Sequence, residues 1–174
     1  MLYNVTHVRG DHDHFERLFP SAAFDTDNQP YRVAEPVALS FDITKDDRRF
    51  QVVGHVRTTL ELMCGRCLEP FRLPVDASFD LRYLPRTENI GEGELEIEED
   101  DLTTAYYADD VMDLGQLMAE QFHLALPMKP LCHEGCGGLC PHCGTNLNMG
   151  SCSCGTSWED PRLAGLKSLL KNRE

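Results

Sequence analysis

A chain of 174 residues with 41% apolar side chains can build one compact domain or two small ones, and no run in it is long and apolar enough to span a bilayer as a helix. Its formal charge of −13 is concentrated: residues 87–128 hold twelve acidic residues and no Lys or Arg, leaving −1 for the rest of the chain. Such a run repels phosphate, so any nucleic acid contact is expected elsewhere.

The opening residues, "MLYNVTHVRGDHDHFERLF", lack a basic region followed by an apolar one, so no secretory leader is read and a cytoplasmic location is expected. Residues 1–30 are weakly patterned. Asp11 followed by "HDHFERLF" predicts a short helix with Phe15, Leu18 and Phe19 on one face. His7, His12 and His14 have ligand chemistry, but no cysteine or carboxylate pair is spaced to join them.

Residues 31–86 carry period-two patterning. Val37, Leu39, Phe41 and Ile43 alternate with polar or small residues. The even positions from Phe50 to Leu62 and the odd positions from Phe71 to Tyr83 are mostly apolar, with polar neighbours between them. This predicts half-buried antiparallel strands in a meander of at least three. Pro74 marks an edge or a bulge in the last of these.

Residues 87–112, centred on "GEGELEIEEDDL", read as a solvated acidic connector. Residues 113–126 predict a helix. Asp113 is its N-cap, Gln116 completes a capping box, and Leu114, Leu117, Met118, Phe122 and Ala125 form the apolar face. Residues 127–157 form a cysteine-rich tail. Residues 158–174 predict a closing amphipathic helix, with Asp160 as N-cap and Pro161 in its first turn. The fold class is thus α+β: an antiparallel meander, a capped helix and a zinc-binding tail that ends in a short helix.

The eight cysteines fall into four close pairs: Cys64 with Cys67, Cys132 with Cys136, Cys140 with Cys143, and Cys152 with Cys154. In a reducing compartment such clusters are metal ligands more often than disulfides. Structural zinc takes four thiolates, commonly as two close pairs, so eight cysteines supply two complete sites. Gly65, Gly135, Gly137, Gly138, Gly144 and Gly155 flank the pairs, and tight turns that aim N–H groups at thiolates favour glycine. The loop "GTNLNMGS" suits a turn that closes Cys140 and Cys143 onto Cys152 and Cys154 as a zinc ribbon. Cys64 and Cys67, at the tip of the hairpin spanning 50–83, would then meet Cys132 and Cys136. Interleaved pairings stay open on spacing alone. Iron in a rubredoxin-like site would use the same four thiolates. "CGRC" joins two strands rather than opening a helix, which argues against a thioredoxin-like redox pair. His133 and His142 lie inside the motifs as bystanders, because the cysteines already fill both shells.

Three blocks give a resemblance: "VVGHVRTTLELMCGRCLEPFRLPV", "MDLGQLMAEQFHLALPMKPLC", and "CGGLCPHCGTNLNMGSCSC" followed by "DPRLAGLKSLL". In this order the chain resembles the YceD family, the large ribosomal RNA subunit accumulation proteins. The resemblance implies a cytoplasmic bacterial protein or a plastid relative, needed for normal levels of large-subunit ribosomal RNA, with no enzymatic activity.

The expected function is a non-enzymatic, zinc-stabilised factor in large-subunit ribosome biogenesis. Its partner would be large-subunit ribosomal RNA, an assembly intermediate or a basic ribosomal protein, with no membrane and no small-molecule substrate. RNA contact would fall on Arg57, Arg66 and Arg72 around the hairpin, and on Lys167, Lys171 and Arg173 of the closing helix. Arg66 lies between two ligands, where a donor can steady thiolate charge. Two other classes compete: an acidic adaptor that holds a basic ribosomal protein with zinc serving only the fold, and an iron electron carrier.

Overall fold

The computed structural model describes residues 1–8, 10–24, 29–86 and 103–155. The predicted closing helix over 158–174, with Lys167, Lys171 and Arg173, lies outside these residues, as does the acidic centre at 91–102. The chain divides into two compact units. The first comprises Met1–Leu62 and Phe71–Pro130; the second comprises Met63–Pro70 and Leu131–Glu174.

The first unit is built on a six-stranded sheet. Strand β1 is Leu2–Asn4, β2 His12–Phe19, β3 Tyr31–Val33, β4 Val37–Asp46, β5 Arg49–Met63, β6 Pro70–Pro85, β7 Thr104–Tyr107 and β8 Val111–Asp113. The order β2-β4-β5-β6-β7 forms the sheet, and β3 pairs with β5 at 60–62, beyond the stretch of β5 that β4 occupies. Strands β1 and β8 make a separate antiparallel pair.

The alternation read from sequence is the burial pattern observed. In β4, Val37, Leu39, Phe41 and Ile43 are fully buried. In β5, Phe50, Val52, Gly54, Val56, Thr58, Leu60 and Leu62 all face inward. In β6 the odd positions from 71 to 83 are buried or half-buried and their neighbours exposed. Pro74 lies outside residues 82–85, where β7 pairs with β6, so it removes no donor from that pairing.

Two expectations about the strands are corrected. The predicted helix after Asp11 is strand β2, paired antiparallel with β4 from His12 opposite Thr44 to Phe19 opposite Val37. Helical spacing would put Phe15, Leu18 and Phe19 on one face. Here Phe15 stacks on its cross-strand partner Phe41 at 4.9 Å, Phe19 is buried, and Leu18 points away at 67% exposure. Long-range pairing has overridden a weak local propensity. The sheet is also not purely antiparallel, since β7 runs parallel to β6, with Arg82 opposite Thr104 and Pro85 opposite Tyr107.

The one α-helix among the described residues, α1, is Leu114–Ala125. The Asp113 carboxylate accepts from the N–H groups of Gly115 (2.8 Å) and Gln116 (3.3 Å), so the N-cap forms. The reciprocal half of the capping box does not, because the Gln116 side chain donates to Glu120 at 2.8 Å. Leu114, Leu117, Met118 and Phe122 are buried as expected, joined by Gln121. Phe122 meets the rings of Tyr31 and Phe24 edge-on, at 5.9 and 5.7 Å. The helix face and the sheet thus share one apolar core. No helix of the described residues is long and apolar enough to cross a membrane.

Candidate metal centres

Among its described residues the second unit has no such core. Its only buried residues among those described are Cys64, Cys67, Cys136, Gly138 and Cys140. It contains no disulfide among the described cysteines. Instead, the eight sulfurs gather into two groups, Cys64, Cys67, Cys132 and Cys136 in one, Cys140, Cys143, Cys152 and Cys154 in the other. Within each group all sulfurs lie within 4.8 Å of one another. Geometry therefore sorts the pairs as loop closure favours and leaves no interleaved arrangement.

The spacing fits a tetrahedral ion. Metal–sulfur bonds of about 2.3 Å give tetrahedron edges of about 3.8 Å. Cys64 Sγ lies 3.7 Å from Cys136 Sγ, and Cys67 Sγ lies 3.8 Å from Cys132 Sγ. The four sulfurs of each group are close enough to share one metal ion, and these two edges of the first group match a tetrahedral site.

The hairpin tip and the tail use one local device twice. At the tip, the Cys64 N–H donates to Glu69 O (2.9 Å) and the Leu68 N–H to Cys64 O (3.0 Å). In the tail, the Cys140 N–H donates to Thr145 O (2.8 Å) and the Gly144 N–H to Cys140 O (2.9 Å). The residue after the second cysteine adopts a left-handed conformation in both, φ +74° for Gly144 and +59° for Leu68. Glycine takes that region freely; Leu68 takes it at a steric cost. Gly138 (φ +72°) makes a further left-handed turn in this unit. There its Cα packs so close to Arg66 that a Cβ would sit 3.2 Å from the Arg66 carbonyl oxygen.

Backbone and side-chain donors converge on particular sulfurs. The Cys67 N–H, with those of Arg66 and Cys132, holds the Cys64 thiol down at about 5 against the burial that opposes it. The Asn148 amide, donating to Cys136 Sγ at 3.3 Å, lowers the Cys136 thiol. Thr145, with its hydroxyl 3.2 Å from Cys143 Sγ, brings Cys143 down to about 6. Burial and neighbouring sulfurs push Cys132 up to about 12, and Cys143 and the other sulfurs of its group push Cys154 up to about 12. Lowered and raised thiols share each group, so bringing all four sulfurs of a group to thiolate calls for a cation that offsets their charge.

The groups differ in exposure. In the first, Cys64, Cys67 and Cys136 are buried and Cys132 half-buried; in the second only Cys140 is buried, and Cys143 is exposed. His133 and His142 are exposed and join neither group. Arg66 reaches main-chain oxygens rather than a sulfur, donating to Cys136 O at 3.1 Å and Glu134 O at 3.5 Å. Arg57 lies against Asp76 at 3.0 Å and Arg72 against Glu35 at 3.3 Å, all in the first unit. His14 and His12 face Asp42 at 2.9 and 3.7 Å. Sequence reasoning missed Thr145 and Asn148, which it took only as turn formers; their signal was donor side chains inside a loop bounded by ligands.

Comparison with known proteins supplies the remaining context. The family model for "Large ribosomal RNA subunit accumulation protein YceD" matches residues 52–170. A maize protein (Zea mays) named large ribosomal RNA subunit accumulation protein YCED homolog 1, chloroplastic, is 30% identical over 142 residues, covering 68% of this chain and 48% of that protein. Its namesake in Arabidopsis thaliana is 26% identical over 169 residues, covering 85% and 53%. An uncharacterized protein of Mycobacterium tuberculosis is 31% identical over 140 residues, covering 74% and 65%. The chain spans about half the length of the two plant relatives. No solved structure matches the chain at a significant level. The matched segment runs through both cysteine groups, strands β5 to β8 and helix α1, and on this ground the chain belongs to the YceD family of large ribosomal RNA subunit accumulation proteins.

Proposed function

We propose that this chain is a non-enzymatic, zinc-stabilised factor in large-subunit ribosome biogenesis that supports accumulation or processing of large-subunit ribosomal RNA. The observation that carries the reading is the convergence of eight cysteines into two compact four-sulfur groups, in a member of a family named for large-subunit ribosomal RNA accumulation. Zinc suits these sites because four thiolates complete its shell and leave no position open for chemistry. Metal analysis of purified protein should give two zinc ions per chain. In cells lacking the gene, large-subunit ribosomal RNA should fall relative to small-subunit RNA. The wild-type gene should restore it, and a Cys64→Ser, Cys67→Ser variant should not. Colour and redox activity in the purified protein would instead favour an iron carrier.

For the direct partner, two observations favour a basic ribosomal protein over RNA. The described arginines proposed for RNA contact are engaged within the chain: Arg57 with Asp76, Arg72 with Glu35, and Arg66 with carbonyls of residues 134 and 136. Each zinc with four thiolates also carries a formal charge of about −2, which adds to the −13 of the chain. Both disfavour phosphate and favour cationic surfaces. Pull-downs against ribosomal RNA fragments and ribosomal proteins across a salt series separate the alternatives. Retention of RNA at moderate salt, lost on Arg66→Glu, supports RNA as the partner; binding confined to basic ribosomal proteins supports the adaptor.

A further inference from the structure

One side chain reaches from the loop of the second cysteine group to a sulfur of the first. Residues 144–151 form the loop between Cys143 and Cys152, so a metal in the second group fixes both ends of that loop. Asn148, inside it, donates through Nδ2 to Cys136 Sγ of the first group at 3.3 Å. Its Oδ1 accepts from the Gly137 N–H at 2.7 Å. That second bond settles which way the amide faces, because Gly137 offers only a donor. Asn146 braces the arrangement: its Oδ1 accepts from the Asn148 N–H and from Asn148 Nδ2, both at 3.0 Å. The Leu147 N–H donates to Gly138 O at 2.8 Å, holding the loop along the segment that follows Cys136.

The geometry points to Asn148 as a positioning residue that couples the two metal sites, so that loading the second group raises the metal affinity of the first. This rests on the reading of both groups as metal sites. The physical reason is direct. A neutral N–H aimed at a metal-bound thiolate withdraws charge from the sulfur and stabilises the four-thiolate site, and such donors typically set affinity by about 10–100-fold. The donor lies inside the loop, and a metal in the second group ties down the loop's Cys143 and Cys152 ends and so restrains it further. A metal in one site therefore prepays the ordering of a group used by the other, and by linkage the effect is reciprocal.

The test is titration of the metal-free full chain with Co2+, whose sulfur-to-metal charge-transfer band reports on the thiolates. In a Cys152→Ser, Cys154→Ser variant only the first group remains. Its Co2+ affinity should fall by about fivefold or more, with the band at lower energy than in wild type. Asn148→Asp keeps the acceptor for Gly137 but replaces the donor with an oxygen. It should weaken the first site by about 10–100-fold and shift its band in the same direction, with α1 helicity unchanged. Combining Asn148→Asp with the Cys152 and Cys154 substitutions should add little, because both remove the same interaction. A first site with wild-type affinity and band in either variant overturns the coupling, as does full additivity. If wild-type protein takes up two ions independently, this inference alone falls; if it binds none, the metal reading falls and takes the coupling with it.

Discussion

Chelation should dismantle the second unit and leave the first standing. Among its described residues the second unit buries four cysteine side chains and one glycine, and no aliphatic or aromatic side chain. As small apolar groups, buried cysteines contribute roughly 1 kcal/mol each. Fixing backbone costs about 1–2 kcal/mol per residue, so those side chains offset the ordering of only a few residues. A structural zinc contributes about 10–16 kcal/mol, far more than the burial seen among the described residues of the tail. The first unit, by contrast, buries Phe41, Phe122, Leu39, Ile43, Leu60 and Met118 with 1% exposure or less, and both cysteine groups lie outside it. The assay is amide hydrogen exchange with and without a high-affinity chelator. Without chelator, the N–H groups of Leu139, Cys140, Gly144 and Leu147 should be protected by their bonds to Arg66 O, Thr145 O, Cys140 O and Gly138 O. With chelator, these four should exchange at unfolded rates while β4, β5 and α1 keep their protection. Loss should begin at the second group, where Cys143 is exposed to competing ligands. A chelated protein that still protects these four amides would refute the reasoning.

Other consequences follow from individual residues. Gly54 of β5 faces Phe41 across the sheet, and an added Cβ would fall on the Ser40 carbonyl oxygen and within 2.7 Å of Phe41 Cα. Because those obstacles are backbone, Gly54→Ala should cost about 3 kcal/mol, lowering the first unit's thermal midpoint by roughly 6–12 °C; a drop under about 2 °C refutes the clash. Leu68 is 59% exposed and left-handed, so Leu68→Gly should relieve strain with little packing lost and raise the second unit's metal affinity slightly, by about 0.5–1 kcal/mol in a zinc competition assay. Asp113→Ala removes the cap of α1 and should cost about 1 kcal/mol at neutral pH by denaturant unfolding. Burial pushes the Asp113 carboxyl up, but the Gln116 and Gly115 N–H groups outweigh it and hold it below its usual value. Its contribution is therefore complete above the ordinary carboxylate range and fades as pH falls through the lowered value. The gap between wild type and Asp113→Ala should close in acid, and a constant gap would exclude the charge.

What the sequence alone determined is what depends on local period and on ligand count. Alternation in β4, β5 and β6 named the buried face residue by residue, because side chains of a strand alternate rigidly between its two faces. The spacing of Leu114, Leu117, Met118 and Phe122 placed α1, and four close cysteine pairs counted out the sulfurs for two groups of four. Tertiary structure decided the rest. Whether "HDHFERLF" is helix or strand was settled by an eight-residue ladder to β4 and the stacking of Phe15 on Phe41, neither of which a window along the chain contains. The parallel placement of β7 depends on the path of the chain after β6, which no local pattern encodes. The sorting of sulfurs into two groups, and the reach of Asn148 from the loop of one to a ligand of the other, join residues as far apart in sequence as 64 and 136. Spacing fixes how many metals a chain can hold; only the folded path decides which thiolates share one.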